Sequence, residues 1–507
     1  MVRQKSLTIC LVVLLLCMFF LPVTVRADER PDTEGSFGNS ITWKLEGGTL
    51  TVSGTGKMPD CQYAGEGLPW YEQRAKVTAV IVEPGISHIG QYVFAGHANL
   101  TEVSLPQGLS SIGKYAFSEC YSLERISIPD GIKRIEEQTF SHCSNLSSVS
   151  IPQSVKYIGE YAFSYCQQLR SVTLPENLQI LKTCAFTGCS ALEQVAIPSL
   201  IQIIEAHTFS GCENLTQVTL PQGLKDIDDY AFYSCGKLKD IVFPHQLKRI
   251  GISAFQHCHG LERISLPDSV TVIGSDAFGY CTNLSEIKLS ANTRDINFGA
   301  FDGCGKLTSI SIPPSVELIG SLPASLQQIH ISDMAAWCRI DFFDAGYNGL
   351  KNAGLYLNGT LVTDLVIPEG ISEIAPYVFA DYQHLRSVTV PEGVTVVGGR
   401  AFHNCKNLST ISLPASIQMI GTGAFYGCDN LEDLRYGGTQ QQLAQVEVHR
   451  DNDILFGKQW QLTPENTLLS IWQQQKVLII TELILHIVVI SGCFILERRQ
   501  RKKFLRF

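Results

Sequence analysis

Residues 100–122 read LTEVSLPQGLSSIGKYAFSECYS, and residues 123–145 read LERISIPDGIKRIEEQTFSHCSN. In both, a phenylalanine is followed three residues later by a cysteine. The pair returns every 23 residues, from Phe117 with Cys120 and Phe140 with Cys143 as far as Phe301 with Cys304, and stands again at Phe402 with Cys405 and Phe425 with Cys428. Eleven of the 17 cysteines therefore share one periodic position: Cys120, Cys143, Cys166, Cys189, Cys212, Cys235, Cys258, Cys281, Cys304, Cys405 and Cys428. A fixed period of this length is the signature of a repeat architecture. Leucine recurs at 100, 123, 146, 169 and onward to 307, and a β-branched residue follows three later at Val103, Ile126, Val149 and Val172. With Leu105 and Ile128 completing L-x-x-V-x-L, the alternation predicts a short strand with one buried face. Proline closes it at 106, 129, 152, 175, 198, 221, 244, 267 and 313, with Ser290 the exception. Proline lacks the N–H that ladder pairing needs. A turn at Gln107-Gly108, a second apolar pair at Leu109 and Ile112, and the Ala-Phe-x-x-Cys segment follow. That last segment is predicted to be a helical or 3-10 turn that brings the chain back.

Each unit has about eight apolar positions and is too thin to bury them alone, so neighbouring units must cover one another. Parallel strands stack about 4.8 Å apart, and a given position then forms a ladder along the stack. Ladder cysteines would point the same way, whereas a disulfide needs Cβ atoms about 3.8 Å apart and facing one another. Phenylalanine and cysteine are thus expected to fill the convex side of a right-handed solenoid, the thiols acting as small buried hydrophobes. Disulfides or a metal array are the alternatives. His257-Cys258-His259 has the composition of a ligand cluster, but Cys258 belongs to the ladder and its neighbours should point outward. Cys184 stands where Tyr115 and Tyr161 stand, as a substituted repeat residue, while Cys61 and Cys338 lie off the ladder.

The pattern L-x-x-I-x-I-P followed by I-G-x-x-A-F-x-x-C resembles the BspA-like, or Treponema-type, leucine-rich repeat family of bacterial surface proteins. The commoner eukaryotic repeat carries an asparagine ladder after the strand; here proline occupies that region. The flanks are similar too: GGTLTVSGTGKMPD with Pro69–Tyr71 to the module preceding such repeats, MAAWCRIDF with LYLNGTLVTDLVIP to an island within them, and RYGGTQQQLAQ to their closing segment. The resemblance covers nearly all of residues 38–460. It implies a leucine-rich-repeat coil with a parallel β-sheet and a role in adhesion or host and partner binding, without a fixed ligand motif.

Where the period holds sets the expected organisation. Residues 1–27 carry a basic start, an apolar run and the small-residue exit Val25-Arg26-Ala27, the layout of a secretory signal peptide. Residues 28–92 form a β-rich cap, 93–320 the first repeat block, 321–364 an insertion island, 365–435 further repeats and 436–466 a closing cap. Within the island, Asn358-Gly359 suits a type I′ hairpin. Residues 467–476 lead to an apolar run at 477–496, long enough to cross a bilayer as one helix. The tail at 497–507 holds six basic residues, which favour the cytoplasmic side. A single-pass protein of a bacterial plasma membrane, with its bulk outside, is expected. Glu482 and His486 lie four apart in the apolar run; they are expected to be accommodated by snorkelling, a helix contact being the rival reading.

Charge and motifs exclude several functions. The chain has 39 basic and 48 acidic residues, and setting aside the leader and the segment from 477 leaves 30 against 46. So negative a surface repels polyphosphate backbones, and nucleic acid is not an expected partner. No GxSxG, HExxH, P-loop or suitably placed GxGxxG occurs, so the chain is not expected to be an enzyme or to need a cofactor or metal. A binding role has a physical location instead. Side chains flanking the buried Val of L-x-x-V-x-L should face solvent as two ladders. One is Glu102, Arg125, Ser148, Ser171, Gln194, Gln217, Asp240, Arg263, Glu286 and Ser309; the other is mostly hydroxylated, with Ser104, Ser127, Ser150, Thr173 and Thr219. An extracellular protein or glycan is the expected partner, and the ectodomain of a receptor or scaffold acting through a partner subunit is the rival reading. Six sequons, at Asn99, Asn145, Asn214, Asn283, Asn358 and Asn407, would matter only in a eukaryotic host.

Overall fold

The computed structural model describes residues 33–62, 67–343 and 349–462. The expected leader, apolar segment and basic tail, with Glu482 and His486, lie outside the described residues. Among the described residues no helix is long and apolar enough to cross a membrane.

The L-x-x-V-x-L segments form parallel strands stacked in register. Arg125–Ser127 pairs with Ser148–Ser150 so that Val149 sits on Ile126, and Gln194–Ala196 pairs likewise with Gln217–Thr219. Each central side chain points into the core while both neighbours face solvent. The proline carbonyl that ends the strand accepts the N–H three residues on, as in Leu109 to Pro106 at 3.1 Å. Ser290, the exception to the proline series, makes the same turn with Thr293.

A second parallel sheet, not foreseen from the sequence, follows that turn. Its strands are two residues long: Arg134–Ile135, Tyr157–Ile158 and Ile180–Leu181 form one ladder. A further ladder runs from Ile203–Ile204 through Asp226–Ile227 and Arg249–Ile250 to Asp341–Phe342. Two residues cannot display an alternation, so only the buried Ile or Leu of each marks the strand.

The Ala-Phe-x-x-Cys corner is not the expected helical or 3-10 turn. Tyr115 and Glu119, on either side of Phe117, have φ of 58° and 61°, and the same two positions are left-handed in rung after rung. Ala116, Ser118 and Cys120 donate to carbonyls three residues back, while Tyr115, Phe117 and Glu119 donate to Glu137, Thr139 and Ser141 of the next rung. A helix aims every N–H along its own axis, whereas this corner sends alternate N–H groups sideways and so welds rung to rung. Among the described residues the short helical segments lie elsewhere, at Tyr71–Lys76, Met334–Trp337, Gln440–Leu443 and Asp453–Leu455.

Inside the corner the phenylalanine rings stack face to face from Phe94 to Phe301, with Phe117 and Phe140 5.6 Å apart and 8° from parallel. Trp70 extends the column at its start, 6.2 Å from Phe94 and edge-on to Trp43 and Phe37. An antiparallel hairpin, Ile41–Glu46 with Thr49–Gly54, turns at Gly47-Gly48, both at positive φ, and hands its second strand in parallel to Ala79–Val82 and the repeat sheet. The Asn358-Gly359 hairpin also forms, both residues at positive φ, joining Gly354–Leu357 to Thr360–Leu361.

Candidate interaction face

All ten residues of the expected ladder, Glu102, Arg125, Ser148, Ser171, Gln194, Gln217, Asp240, Arg263, Glu286 and Ser309, are exposed. Glu102 is opposite Arg125, Arg125 opposite Ser148, Gln194 joins Ser171 to Gln217, and Gln217 meets Asp240. Arg263 approaches Glu286 to 3.6 Å, with both side chains largely in water. Such a pair contributes little to stability. Ser104, Ser127, Ser150, Thr173 and Thr219 are exposed beside them, and Val242, 81% exposed, breaks that hydroxylated column. The middle of the face, from Ser148 to Thr219, carries uncharged side chains, with charge confined to either end. Its Ser, Thr and Ala side chains lose little freedom when covered, whereas Gln194 and Gln217 lose more.

Beside the face runs a groove that the sequence reading missed. It encloses about 460 Å³ between consecutive rungs and is lined by Gln167, Gln168, Arg170, Ser190, Ala191, Glu193, Asn214, Thr216 and Lys237. Its residues sit in the columns just before each strand. The signal was present, because Thr216 directly precedes Gln217 of the ladder, but no motif distinguishes a groove from a solvated rim.

The ladder cysteines are free and buried. They do more than fill space. Cys120 Sγ donates to the Phe94 carbonyl at 3.1 Å, Cys143 to Phe117 at 3.2 Å and Cys212 to Phe186 at 3.4 Å, each reaching the phenylalanine of the preceding rung. The Phe117 and Phe186 carbonyls also take the N–H of Cys120 and Cys189 in their own rungs, so both lone pairs are used. Burial pushes the Cys143, Cys189 and Cys258 thiols up to about 12. Cys184 takes φ of 58° at the corner, as Tyr115 and Tyr161 do, and Cys338 is buried beside Trp337.

Groups with chemical potential are accounted for by packing. His257 stacks on Tyr280 at 5.0 Å and lies edge-on to His259 at 5.8 Å. Among the described residues no group of three or more His, Cys, Asp and Glu converges as a metal site. Ser111 Oγ lies 2.7 Å from His88 Nδ1, and Asp60 lies 3.8 Å from His88 Nε2. That second distance is beyond hydrogen bonding. The Asp60 carboxylate instead accepts the Gln91 N–H at 2.7 Å, standing in for a rung that the cap lacks.

The geometry is that of a leucine-rich-repeat solenoid, and the model of the BspA type leucine-rich repeat region matches residues 70–193, 142–262, 248–333 and 354–446. The chain belongs to the BspA-type leucine-rich repeat family. Among solved structures, a leucine-rich repeat protein from Bacteroides ovatus is 26% identical, with 84% of this chain and 98% of that chain covered and a TM-score of 0.53. A leucine-rich cell surface protein from Faecalibacterium prausnitzii is 22% identical over 82% of this chain and 98% of that one, with a TM-score of 0.39. A Treponema pallidum leucine-rich repeat protein is 25% identical over 40% of this chain and 91% of its own, with a TM-score of 0.31. A comparison with curated proteins found no match.

Proposed function

We propose that this BspA-type repeat protein is a cell-surface recognition protein that binds an extracellular protein or glycan through the exposed face of its first sheet. The observation that carries the reading is the column from Glu102 to Ser309, exposed at all ten positions and backed by buried or partly buried apolar side chains. A recognition surface needs a rigid support, and the corner hydrogen bonds with the stacked rings supply one. The family is one of binding scaffolds rather than enzymes. Anchoring would come from the apolar segment at 477–496.

The test is a binding screen of the protein against matrix proteins and surface glycans, repeated with Glu102→Arg, Arg125→Glu, Arg263→Glu and Glu286→Arg combined. Binding that is lost in the combined variant, with the circular dichroism spectrum unchanged, is the expected result. Binding that survives it would move recognition off this face.

A further inference from the structure

One rung carries only Ser190 and Ala191 where its neighbours carry Gln167 and Gln168 on one side and Glu213 and Asn214 on the other. The groove beside the ladder is the cut this leaves, with walls two rungs, or about 10 Å, apart. Among the described residues, the side chains of Gln167, Gln168, Arg170, Glu193, Asn214 and Lys237 that line it make no hydrogen bond or ion pair within the chain. The same columns are engaged elsewhere. Asn283 and Asn407 each donate to a carbonyl of the preceding rung at 2.7 Å, and the Gln383 amide donates to the Asn404 carbonyl at 2.8 Å. The difference starts in the backbone, because the Ser190 carbonyl takes the Asn214 N–H at 3.1 Å and leaves the side-chain amide over. Two residues before Gln167, the Tyr165 ring stacks on His142 at 4.7 Å and leans over Gly188 of the cut rung, where a Cβ would lie 2.6 Å from it. The ring stays 44% exposed.

We propose that this groove is a binding site for a neutral oligosaccharide, separate from the charged ends of the ladder. Its volume of about 460 Å³ falls within the range of small-ligand pockets. The lining selects the chemistry. Three side-chain amides offer both N–H and C=O, Arg170 and Lys237 only donate, and Glu193 only accepts, so the groove matches groups that donate and accept at once, as sugar hydroxyls do. A carboxylated or sulfated glycan would set its charge on Glu193, with Glu213 on the same side of the cut, and these two carboxylates offset the two cations. An extended peptide would need pockets for alternate side chains, and Ala191 is the one apolar residue of the lining. The Tyr165 ring gives the C–H face of a sugar a surface to pack on. Because the amides have no partner to surrender within the chain, their bonds to a ligand replace water alone.

The experiment probes the full chain with an array of short neutral oligosaccharides, set beside sialylated and uronic-acid glycans and extended peptides. A subset of the neutral glycans is expected to bind. Gln168→Ala combined with Asn214→Ala should weaken that binding about tenfold, as the loss of two hydrogen bonds implies. Ala191→Lys fills the cut with a residue that the same column already holds at Lys237, so the fold is kept and binding should be lost. The combined ladder variant, Glu102→Arg, Arg125→Glu, Arg263→Glu and Glu286→Arg, should leave it unchanged, which separates this site from recognition by the ladder. The proposal fails if no neutral glycan binds, or if binding survives both Ala191→Lys and the paired amide variant. Binding confined to acidic glycans and strengthened by Ala191→Lys would also overturn it, in favour of an anion site, and binding confined to peptides would overturn it in favour of a protein partner.

Discussion

His97 occupies the position that cysteine takes in the following rungs, fully buried against Phe94 with its Nδ1 3.3 Å from the Ala95 carbonyl. Burial, helped by the nearby Arg74 charge, lowers its pKa to about 4, against about 6.5 in an unfolded chain. The folded state therefore resists protonation that the unfolded state accepts. Stability is complete above pH 6.5 and falls as pH drops toward 4, at about 1.4 kcal/mol per unit, for a loss of about 3 kcal/mol. Replacing it with the residue of the other rungs, His97→Cys, should flatten that slope in denaturant melts at pH 7, 5.5 and 4. An unchanged slope would place the acid sensitivity elsewhere. The ladder thiols give a second expectation: with their pKa raised by burial, they should resist alkylation at pH 8 until the chain unfolds, while the half-buried Cys61, raised to about 11, reacts first. Rapid labelling of Cys212 in the folded protein would contradict the packing. The sequence showed where the cysteines lie but not their hydrogen bonds, because a donor role depends on a carbonyl 26 residues away. The N-L-[ST] sequons have a cause of the same kind. Asn283 Nδ2 donates to the His259 carbonyl at 2.7 Å and Ser285 Oγ to the Glu262 carbonyl at 3.2 Å, so both polar residues tie a rung to the one before it.

The corner is the element that local sequence describes least. Its left-handed positions hold Tyr115, Gln138, Cys184, His207 and Ser253 as well as glycines, so composition does not announce them. A non-glycine residue there costs about 1–2 kcal/mol. The cost is tolerated because each such residue donates its N–H to the neighbouring rung, a partner that does not exist within one repeat. For the same reason the second sheet was illegible while the first was plain: three-residue strands with a buried centre leave an alternation, and two-residue strands do not. The corner begins with Glu136, Lys182, Glu205 or Asp228 in some rungs and with glycine in others, and at Gly274 the approach of the preceding rung is close. A Cβ on Gly274 would lie 2.5 Å from the carbonyl carbon of Gly251, backbone that cannot swing away. Gly274→Ala should therefore destabilise the protein by about 2 kcal/mol, within the usual range for overpacking. At Gly305, which meets nothing within 4 Å, alanine should cost under about 1 kcal/mol. Thermal melts of the two variants check the contrast, and equal losses would mean that the rungs slide apart to make room.

On the scale of the whole molecule, neighbours stabilise neighbours, and the weakest joint decides cooperativity. That joint is the island. The first sheet runs through Ser309–Ile312, Gln328–Ile331 and Gly354–Leu357 to the hairpin strand Thr360–Leu361, and a separate sheet begins at Asp364–Val366. The phenylalanine stack is likewise resumed at Phe379 with Phe402. The sequence located this interruption through the lost period, but not what bridges it. Tyr382 stands in the ladder position where the next rungs carry Cys405 and Cys428, and it is fully buried. Its hydroxyl accepts the Leu355 N–H at 3.2 Å and donates to the Val362 carbonyl at 2.6 Å, reaching back to the first strand of the hairpin and to the residue that follows the second. Ladder cysteine reaches one rung, whereas the longer tyrosine spans the break, which is a physical reason for the exchange. Tyr382→Phe keeps the ring and leaves a buried N–H and carbonyl without that hydroxyl, at a cost of about 1–3 kcal/mol. Because the loss falls on the coupling between blocks, unfolding should become less cooperative as well as easier. Hydrogen exchange is then expected to show residues 365–435 opening before residues 93–320, with the native protein showing a smaller gap. Uniform loss of protection across both blocks would show that Tyr382 supports only its own rung and that the island is bridged through the second sheet, where Ala375 N–H donates to the Cys338 carbonyl at 3.1 Å.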